Sequence, residues 1–307
     1  MIRFMMHVPV NVRARMIELC KDSVSLLEES LKEQISLVTP HDKMYSVDCS
    51  EEWLGQAIER DLVPDVIVTH ATEFATKKLD TLELFCKDDT LQTVVREEFS
   101  QLMDPCHRLF LVCVTPLVMV YNPQRVDESE LKHSWEDVLC PRYSILFPDR
   151  DKPLSRAAGS YLLKHYPNQF DEFERRVVYD GSPASVMKQV SCGDYDIAMT
   201  HYPFALMGNQ KNLAINMPIE GCILLPQVLT CLKDRKHLLP YVHSLLMQGS
   251  VQEYLQEQGL WSVHQDIELA ENYAECAKQI GSWQGWQEYI QAVADFDAYP
   301  ENKEPVS

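Results

Sequence analysis

Residues 185–205, SVMKQVSCGDYDIAMTHYPFA, combine a helix, a turn and a strand in one short stretch. Apolar residues at helical spacing are followed by Gly193, by the short apolar run 196–199, and then by the polar residues 200–203. This order predicts an amphipathic helix, a glycine turn, a buried strand and a polar loop. In an open α/β sheet, ligands bind beside the loops that follow the carboxyl ends of strands. The loop at 200–203 is therefore the first place to expect a ligand.

The size and charge of the chain limit the kinds of protein it can be. Its 307 residues exceed what one hydrophobic core usually supports, so two lobes are expected. Its net charge of −18 disfavours nucleic acid and anionic membrane surfaces as partners, because both are bound by basic patches. No stretch has the ~18 consecutive apolar residues of a membrane-spanning helix, so no membrane insertion is expected.

The N-terminus and the cysteines bear on the cellular compartment. The first apolar run is broken by His7 and Pro9 and followed by Arg13 and Arg15, which is not the pattern of a secretory signal. We therefore expect a cytoplasmic location for the chain as written, and a periplasmic or extracellular one if a leader was removed before Met1. The ten cysteines include no C-x-x-C pair, which disfavours zinc-ribbon and iron–sulfur sites and indicates buried, reduced thiols.

The C-terminal segment 266–307 is strongly acidic, with nine Asp or Glu against two Lys. Such a segment is typically a solvated surface, and a contact for a basic partner is the alternative. Trp283 and Trp286 within it have the spacing of one helical face. We expect them to dock a C-terminal helix on the first lobe, in preference to forming a platform for a ligand.

The rest of the chain has the pattern of an α/β protein. Strands are predicted at 2–10, 65–69, 109–121, 143–147, 213–217 and 223–225, and helices at 12–31, 51–60, 237–247 and 251–258. The early β-α-β order implies a parallel sheet covered by helices.

Three passages, in their order and spacing, carry a family resemblance. They are VMVYNPQRV with SWEDVLCPRY, the stretch 185–205, and MPIEGCILLPQVLTCL with LLPYVHSLLMQGSVQEYLQEQGL. Together they span roughly 110–260. The chain resembles the type 2 periplasmic solute-binding proteins, in particular the iron(III)/thiamine/phosphonate-like branch of ABC-importer receptors.

The resemblance implies a two-lobed α/β fold with mixed, mostly parallel sheets covered by helices and a ligand cleft between the lobes. Lobe 1 would comprise 1–118 plus 225–307, and lobe 2 would comprise 119–224. It further implies hinge closure on a solute, a possible ABC transporter permease as partner, and a monomer. Only Tyr202 stands in the 196–204 region, so the adjacent tyrosine pair of ferric-binding members is missing and a ferric ligand of that style is not expected.

Polar side chains near predicted strand ends and helix starts form the candidate ligand-binding set. The set is His7, Thr69, His70, Thr72, Thr115, Ser155, Arg156, Thr200, His201 and Tyr202. Ser155 and Arg156 lie near a predicted helix start, where free backbone N–H groups and a guanidinium favour an oxyanion or organic acid, the preferred ligand class. An ordinary helix cap with a surface arginine is the alternative, and the threonine hydroxyls equally suit local turns. Tyr121 and Tyr202 suit either stacking on a ligand or core packing.

Three histidines follow predicted strands and give a second ligand hypothesis. Neutral imidazoles of His7, His70 and His201 suit a transition-metal ion or metal complex, with Glu73 or Glu220 completing the shell. Three unrelated hydrogen-bonding histidines are the alternative. No cofactor other than this possible bound metal ion is expected.

Three classes of function follow from these features. A non-catalytic receptor for a small polar solute is favoured, because the chain has no Gly-rich phosphate loop, H-E-x-x-H or G-x-S-x-G. An enzyme on the same scaffold would need His70 or His201 as base, in contact with Cys192 or Ser155 as nucleophile. An intracellular sensor or scaffold, read by another protein, is the third.

Overall fold

Buried apolar strands alternate with amphipathic helices along the chain in the computed structural model, which describes residues 1–45, 53–75, 81–91, 94–208, 212–269, 283 and 285–300. Two compact units are present. Unit 1 comprises Met1–Val114 and Pro226–Ala270, and unit 2 comprises Thr115–Leu225 and Glu271–Ser307.

Ten strands and ten α-helices lie within the described ranges. The strands are β1 Ile2–Met6, β2 Ile35–Val38, β3 Val66–His70, β4 Phe110–Tyr121, β5 Ile145–Phe147, β6 Val178–Tyr179, β7 Ile197–His201, β8 Ala214–Asn216, β9 Ile223–Cys231 and β10 Trp261–Ser262. The helices are α1 Val10–Leu31, α2 Trp53–Glu59, α3 Glu136–Leu139, α4 Pro153–His165, α5 Pro167–Arg176, α6 Pro183–Cys192, α7 Tyr202–Met207, α8 Leu239–Leu246, α9 Gly249–Glu257 and α10 Trp286–Ala298. None of the helices in this described part is long and apolar enough to cross a membrane.

Unit 1 is built on the predicted β-α-β start of the chain. Its sheet has the order β2-β1-β3-β9, in which β1 is parallel to β2 and β3, and β9 is antiparallel to β3. Helix α1 buries Val12, Met16, Cys20 and Leu27, which recur at helical spacing, in the core that also contains the sheet residue Phe4. The prediction of helices covering a parallel sheet is confirmed for this part of the chain.

The strands of unit 2 have the order β6-β5-β7-β4, with β8 also paired to β4. Strand β5 is parallel to β6 and β7, whereas β4 runs antiparallel to β7. The core of this unit contains Met119, Trp135, Phe147 and Phe173. The sheets are mixed, as predicted, but the antiparallel pairs made by β4 and β9 are as prominent as the parallel pairs.

Two long strands, β4 and β9, contribute to both units and are buried over their whole length. Pro116 lies in β4 between the residues paired to β10 and those paired to β7. Pro226 lies in β9 immediately before the residues paired to β3. Because proline has no N–H to donate, it is tolerated where ladder pairing is interrupted. The sequence pattern ended the last strand at 225, whereas the strand continues through Pro226 to Cys231.

The passages that carry the family resemblance make specific hydrogen bonds within unit 2. Asn122 accepts from Gln124 N at 2.9 Å and donates from Nδ2 to Val190 O at 2.9 Å. The Trp135 indole donates to Gly221 O at 2.9 Å. These contacts join the YNP, SWED and EGC passages to one another or to helix α6, so the shared motif has a structural role.

The C-terminal helix α10 packs on α4 of unit 2, so the prediction that it docks on the first lobe is wrong. Of the predicted lobe 1 segment 225–307, Pro226–Ala270 does belong to unit 1. Phe296 of α10 is fully buried against Gly159 of α4, where a side chain larger than hydrogen would collide with the ring. Arg150 lies over the Phe296 ring, 4.2 Å from its centroid, and donates to Phe296 O at 3.0 Å. Residues 270–282, 284 and 301–307 of the acidic segment lie outside the described residues.

We predict that Phe296→Ala lowers the free energy of unfolding by about 3–5 kcal/mol, because it leaves a cavity against α4. Urea unfolding monitored by circular dichroism measures this change. Gln287→Ala, an exposed position on the same helix, is the control and should change stability by less than about 0.5 kcal/mol. Equal effects of the two substitutions would contradict the assignment of α10 to this core.

Candidate functional site

The carboxyl ends of β1 and β3 bring His7, Thr69 and His70 together in unit 1. These strands are parallel neighbours, so their ends meet at one edge of the sheet. His7 Nδ1 lies 3.0 Å from Thr69 Oγ1, and the His7 and His70 rings meet edge to face with centroids 5.1 Å apart. The side-chain amide of Gln227, which stands opposite His70 on β9, contacts His70 Nδ1. We call His7, Thr69, His70 and Gln227 the unit 1 cluster.

Two residues of this region were not predicted. Gln227 is fully buried, and its Oε1 has no hydrogen-bond partner among the described residues. The Trp53 ring centroid lies 6.2 Å from that of His7, and its buried indole N–H likewise has no partner in the described part. A glutamine inside the apolar run ILLPQVLTC was a usable signal for Gln227. Trp53 had none, because tertiary packing of α2 alone brings it to His7.

The residues after β3 form a short 3-10 helix, Ala71–Phe74, in place of an open loop. Thr72 and Glu73 are both buried in it. The Thr72 hydroxyl has no hydrogen-bond partner within the described ranges, whereas Glu73 interacts with other groups. Thr72 therefore offers an unpaired buried hydroxyl one turn beyond the unit 1 cluster.

Thr115, Thr200 and His201 are three further buried polar residues of unit 2, and they lie on two faces of its strands. In the β4–β7 ladder, His201 stands opposite Leu117 and Thr200 opposite Val118. Because side chains alternate along a strand, Thr115 shares the face of Leu117 and His201, and Thr200 points to the opposite face. Both threonine hydroxyls and both imidazole nitrogens of His201 are buried without hydrogen-bond partners among the residues described.

The surroundings of His201 keep its imidazole neutral. Burial lowers the pKa of His201 to about 4, because no nearby acidic group compensates for the lost solvation of the cation. The ring of Phe204 lies beside it, with centroids 5.8 Å apart. The predicted loop at 200–203 is wrong in form: β7 extends to His201, and α7 begins at Tyr202. Tyr202 is buried and has interaction partners, and Tyr121 packs in the unit 2 core.

Ser155 and Arg156, the predicted anion site, are both bonded to other groups of the protein. Helix α4 begins at Pro153, with Lys152 as its N-cap, so Ser155 does not cap it. The Ser155 hydroxyl donates instead to Pro148 O at 2.8 Å. Arg156 forks onto Asp297 of α10, with Nε–Oδ1 at 3.0 Å and Nη2–Oδ2 at 2.7 Å. Both side chains therefore hold unit 2 together, and the oxyanion hypothesis loses its predicted anchor.

The structure brings together two of the three histidines proposed to bind a metal ion. Within the described residues, no group of three or more His, Cys, Asp or Glu side chains is arranged to hold a metal ion. His7 and His70 meet in unit 1, and His201 belongs to unit 2. The proposed ligand Glu220 contacts the Ser134 hydroxyl and accepts a hydrogen bond from Tyr166 at 3.4 Å. The three-histidine set remains a prediction.

The enzyme hypothesis requires a nucleophile in contact with a base. Cys192 is exposed at the end of α6 and makes no side-chain hydrogen bond to a histidine among the described residues. Ser155, the other predicted nucleophile, is committed to Pro148 O. No nucleophile–base pair is therefore formed by the residues proposed for catalysis.

Comparison with known proteins identifies the family. Residues 61–291 match the family described as bacterial extracellular solute-binding protein. The chain belongs to this family. The resemblance found in the sequence is thereby confirmed, and the family is a class of ligand-binding transport proteins that act outside the cytoplasm, commonly with an ABC transporter. No curated protein matches the chain significantly.

Solved structures confirm the two-lobed type 2 periplasmic binding fold. The ferric binding protein from Campylobacter jejuni is 12% identical, with 96% of this chain and 99% of that chain covered and a TM-score of 0.65. Iron-bound HitA from Pseudomonas aeruginosa is 14% identical, with 96% and 98% covered and a TM-score of 0.68. A protein described as a two-component system protein that mediates signal transduction is 16% identical, with 95% and 99% covered and a TM-score of 0.68. At these identities the similarity establishes the fold alone.

We predict that Arg156 and Asp297 stabilise the protein as a pair. In a double-mutant cycle of Arg156→Ala and Asp297→Ala, the two losses of unfolding free energy should be less than additive, with a coupling of about 1–3 kcal/mol. Urea unfolding of the four proteins measures the coupling. A coupling near zero would show that the ion pair does not hold α10 to α4.

We also predict a pH dependence that originates in His201. An unfolded histidine titrates near 6.5, so between about pH 6.5 and 4 the unfolded state binds more protons than the folded state. Stability should therefore fall as pH falls through this window, by up to about 3 kcal/mol in all, and should be unaffected above it. His201→Gln removes the titration and should flatten the dependence relative to wild type, measured by urea unfolding at several pH values. The control His237→Gln, at an exposed position, should leave the pH dependence of stability unchanged. Equal flattening by the two variants would contradict the assignment of this dependence to His201.

Proposed function

We propose that this protein is the solute-binding component of an ABC-type importer and that it binds a small, uncharged polar solute through hydrogen bonds. The observation that carries the proposal is that six of the buried polar atoms without a partner within the described residues belong to the candidate ligand-binding residues or to Gln227. They are Thr72 Oγ1 and Gln227 Oε1 in unit 1, and Thr115 Oγ1, Thr200 Oγ1 and both ring nitrogens of His201 in unit 2. Leaving such a group unpaired costs about 1–3 kcal/mol, and a ligand that pairs it recovers that cost.

The position of these atoms supports a binding role. Thr72 lies just beyond the end of β3, and Gln227, in the middle of β9, stands opposite His70 at that end, where the unit 1 cluster lies. Thr200 and His201 end β7. Strand ends are the usual ligand positions in α/β sheets. Thr230, which is also buried on β9, is paired, because its hydroxyl donates to Arg108 O at 2.8 Å.

The chemistry of the unpaired groups in the two units favours an uncharged ligand. Amide and hydroxyl groups donate and accept hydrogen bonds without carrying charge, and His201 is neutral at physiological pH because its pKa is about 4. A neutral imidazole supplies one donor and one acceptor. The arginine that was expected to hold an anion is paired with Asp297. These groups suit hydroxyl, carbonyl or amide functions of a solute.

A metal ion or metal complex is the second candidate. The specific observation in its favour is the edge-to-face contact of His7 and His70, 5.1 Å between centroids. Two of the similar structures are described as a ferric binding protein and as iron-bound HitA. A histidine-held metal should be lost below about pH 6, because protonated imidazole does not coordinate.

A thermal-shift screen of the purified protein tests the proposal and separates the ligand classes. The arms are polyols and sugars, amides and neutral heterocycles, oxyanions and carboxylates, and divalent or ferric metals, each with and without EDTA. A ligand at 100 times its Kd adds about 2.7 kcal/mol of stability, which is a measurable rise in Tm. Stabilisation by a neutral compound supports the proposal. Stabilisation only by metals, reversed by EDTA, would replace it with the second candidate, and stabilisation only by anions would restore the oxyanion hypothesis.

Isosteric variants then locate the binding groups for the compound that the screen identifies. Gln227→Leu and Thr200→Val remove one hydrogen-bonding group each with little change of shape, and each should weaken binding at least about tenfold in isothermal titration calorimetry. Arg156→Ala is the control, because this residue belongs to the α4–α10 contact. Unchanged affinity in both isosteric variants, or loss of binding in the control alone, would contradict the proposed site.

A further inference from the structure

Two cysteines of unit 1, Cys86 and Cys231, stand directly opposite each other. Phe85 and Leu232 form an isolated antiparallel bridge, so the next residue pair along the two segments is Cys86 with Cys231. The backbone confirms this register, because Cys86 N donates to Cys231 O at 2.8 Å. Opposed residues of an antiparallel pair have Cα atoms about 4.5–5.5 Å apart and side chains on the same face. Disulfides form at Cα separations of about 4.4–6.8 Å.

The two thiol groups also contact each other. A hydrogen bond shared between them lowers the pKa of Cys86 and raises that of Cys231. The ammonium of Lys236 acts in the same direction on Cys86. Such an arrangement places one thiol directly beside a second thiol that can resolve a mixed disulfide. Cys231 Sγ also lies 3.1 Å from Arg235 O.

Four other cysteines within the described residues differ from this pair. Cys20 and Cys113 are buried in the unit 1 core, where burial raises the pKa of each thiol. Cys106 and Cys192 are exposed. Cys86 and Cys231 are distinguished from these four by their juxtaposition across two hydrogen-bonded segments.

We propose that Cys86 and Cys231 form a disulfide that links the segment 81–91 to β9 under oxidising conditions. The oxidant belongs to the class of low-molecular-weight disulfides, such as glutathione disulfide. The Cys86 thiolate attacks one sulfur of that disulfide, forms a mixed disulfide and releases one thiolate. Cys231 then loses its proton and attacks the Cys86 sulfur, which expels the second thiolate. Two protein thiols are oxidised by two electrons, and one disulfide is reduced to two thiols.

This link suits the compartment in which the family acts. Members of the family are extracellular solute-binding proteins, and disulfides persist outside the cytoplasm. The bond would also fix the end of β9, the strand that presents Gln227 to His70 four residues earlier. It would close a loop of more than a hundred residues, for which cross-linking restricts the unfolded chain strongly. The sequence had indicated reduced thiols throughout, which this proposal revises for one pair.

The experiment is refolding of the full chain in a glutathione buffer, with dithiothreitol as the reduced reference. Free thiols counted in denaturant should fall from ten to eight, with intact mass separating an internal link from glutathione adducts at Cys106 or Cys192. Non-reducing tryptic digestion should join peptide 79–87 to peptide 212–233. Because the second peptide also contains Cys222, its fragment spectrum must place the link on Cys231. The Tm of the oxidised protein should exceed that of the reduced protein.

Variants make the assignment specific. Cys86→Ala and Cys231→Ala should each abolish the link and the oxidation-dependent rise in Tm, whereas Cys20→Ala, a buried cysteine of the same unit, should keep both. If a variant fails to fold, the peptide map of the wild-type protein decides the matter alone. Ten free thiols after oxidative refolding to the native state, or a link between any other pair, would overturn the proposal.

Discussion

The whole arrangement depends on keeping two long, fully buried strands hydrogen-bonded. Strands β4 and β9 are buried along twelve and nine residues, and buried backbone groups without partners are costly. Each strand therefore needs neighbours in both units: β4 pairs with β10 in one and with β7 and β8 in the other. The prolines Pro116 and Pro226 stand where this pairing is interrupted, which is the position a strand tolerates. Every polar side chain placed on these strands is buried as a consequence and must find a partner.

The need of each buried polar side chain for a partner distinguishes the polar groups with a structural role from those proposed to bind a ligand. Thr230 of β9 donates to Arg108 O, and its burial is explained. Gln227, on the same strand, uses its nitrogen on His70 and leaves its oxygen unpaired among the described residues. Thr115 of β4 and His201 of the adjacent β7 leave their polar atoms unpaired in the same part of the structure. Because an unpaired buried group is destabilising, the retention of these groups supports the proposal that a ligand pairs them.

The features that could be predicted from the sequence are those that depend on residues close together in the chain. The spacing of Val12, Met16 and Cys20 specified α1, and an apolar run between turn signals specified β3. The motif around Asn122 and Trp135 was recognisable because it makes fixed contacts to backbone groups. What failed was set by distant pairing: Asp297 reaches Arg156 from 141 residues away and turns an expected anion anchor into an ion pair. No local pattern distinguishes an arginine that will meet a carboxylate on a later helix from one that will meet a ligand.

The family motif and the groups proposed to bind the ligand differ in what they contact, so the sequence predicts the family more directly than the ligand. The motif residues bind backbone carbonyls such as Val190 O and Gly221 O, which exist whatever solute the protein carries. The groups proposed to bind the solute are under the opposite constraint, because a site for a different solute needs different groups. In unit 2 the guanidinium groups of Arg150 and Arg156 are paired with the carboxylates of Glu174 and Asp297. These two cations therefore stabilise unit 2, and the amide, hydroxyl and imidazole groups proposed to bind the solute are neutral. Discrimination among solutes must then come from the direction of hydrogen bonds, in which a mismatched partner leaves a buried donor or acceptor unpaired.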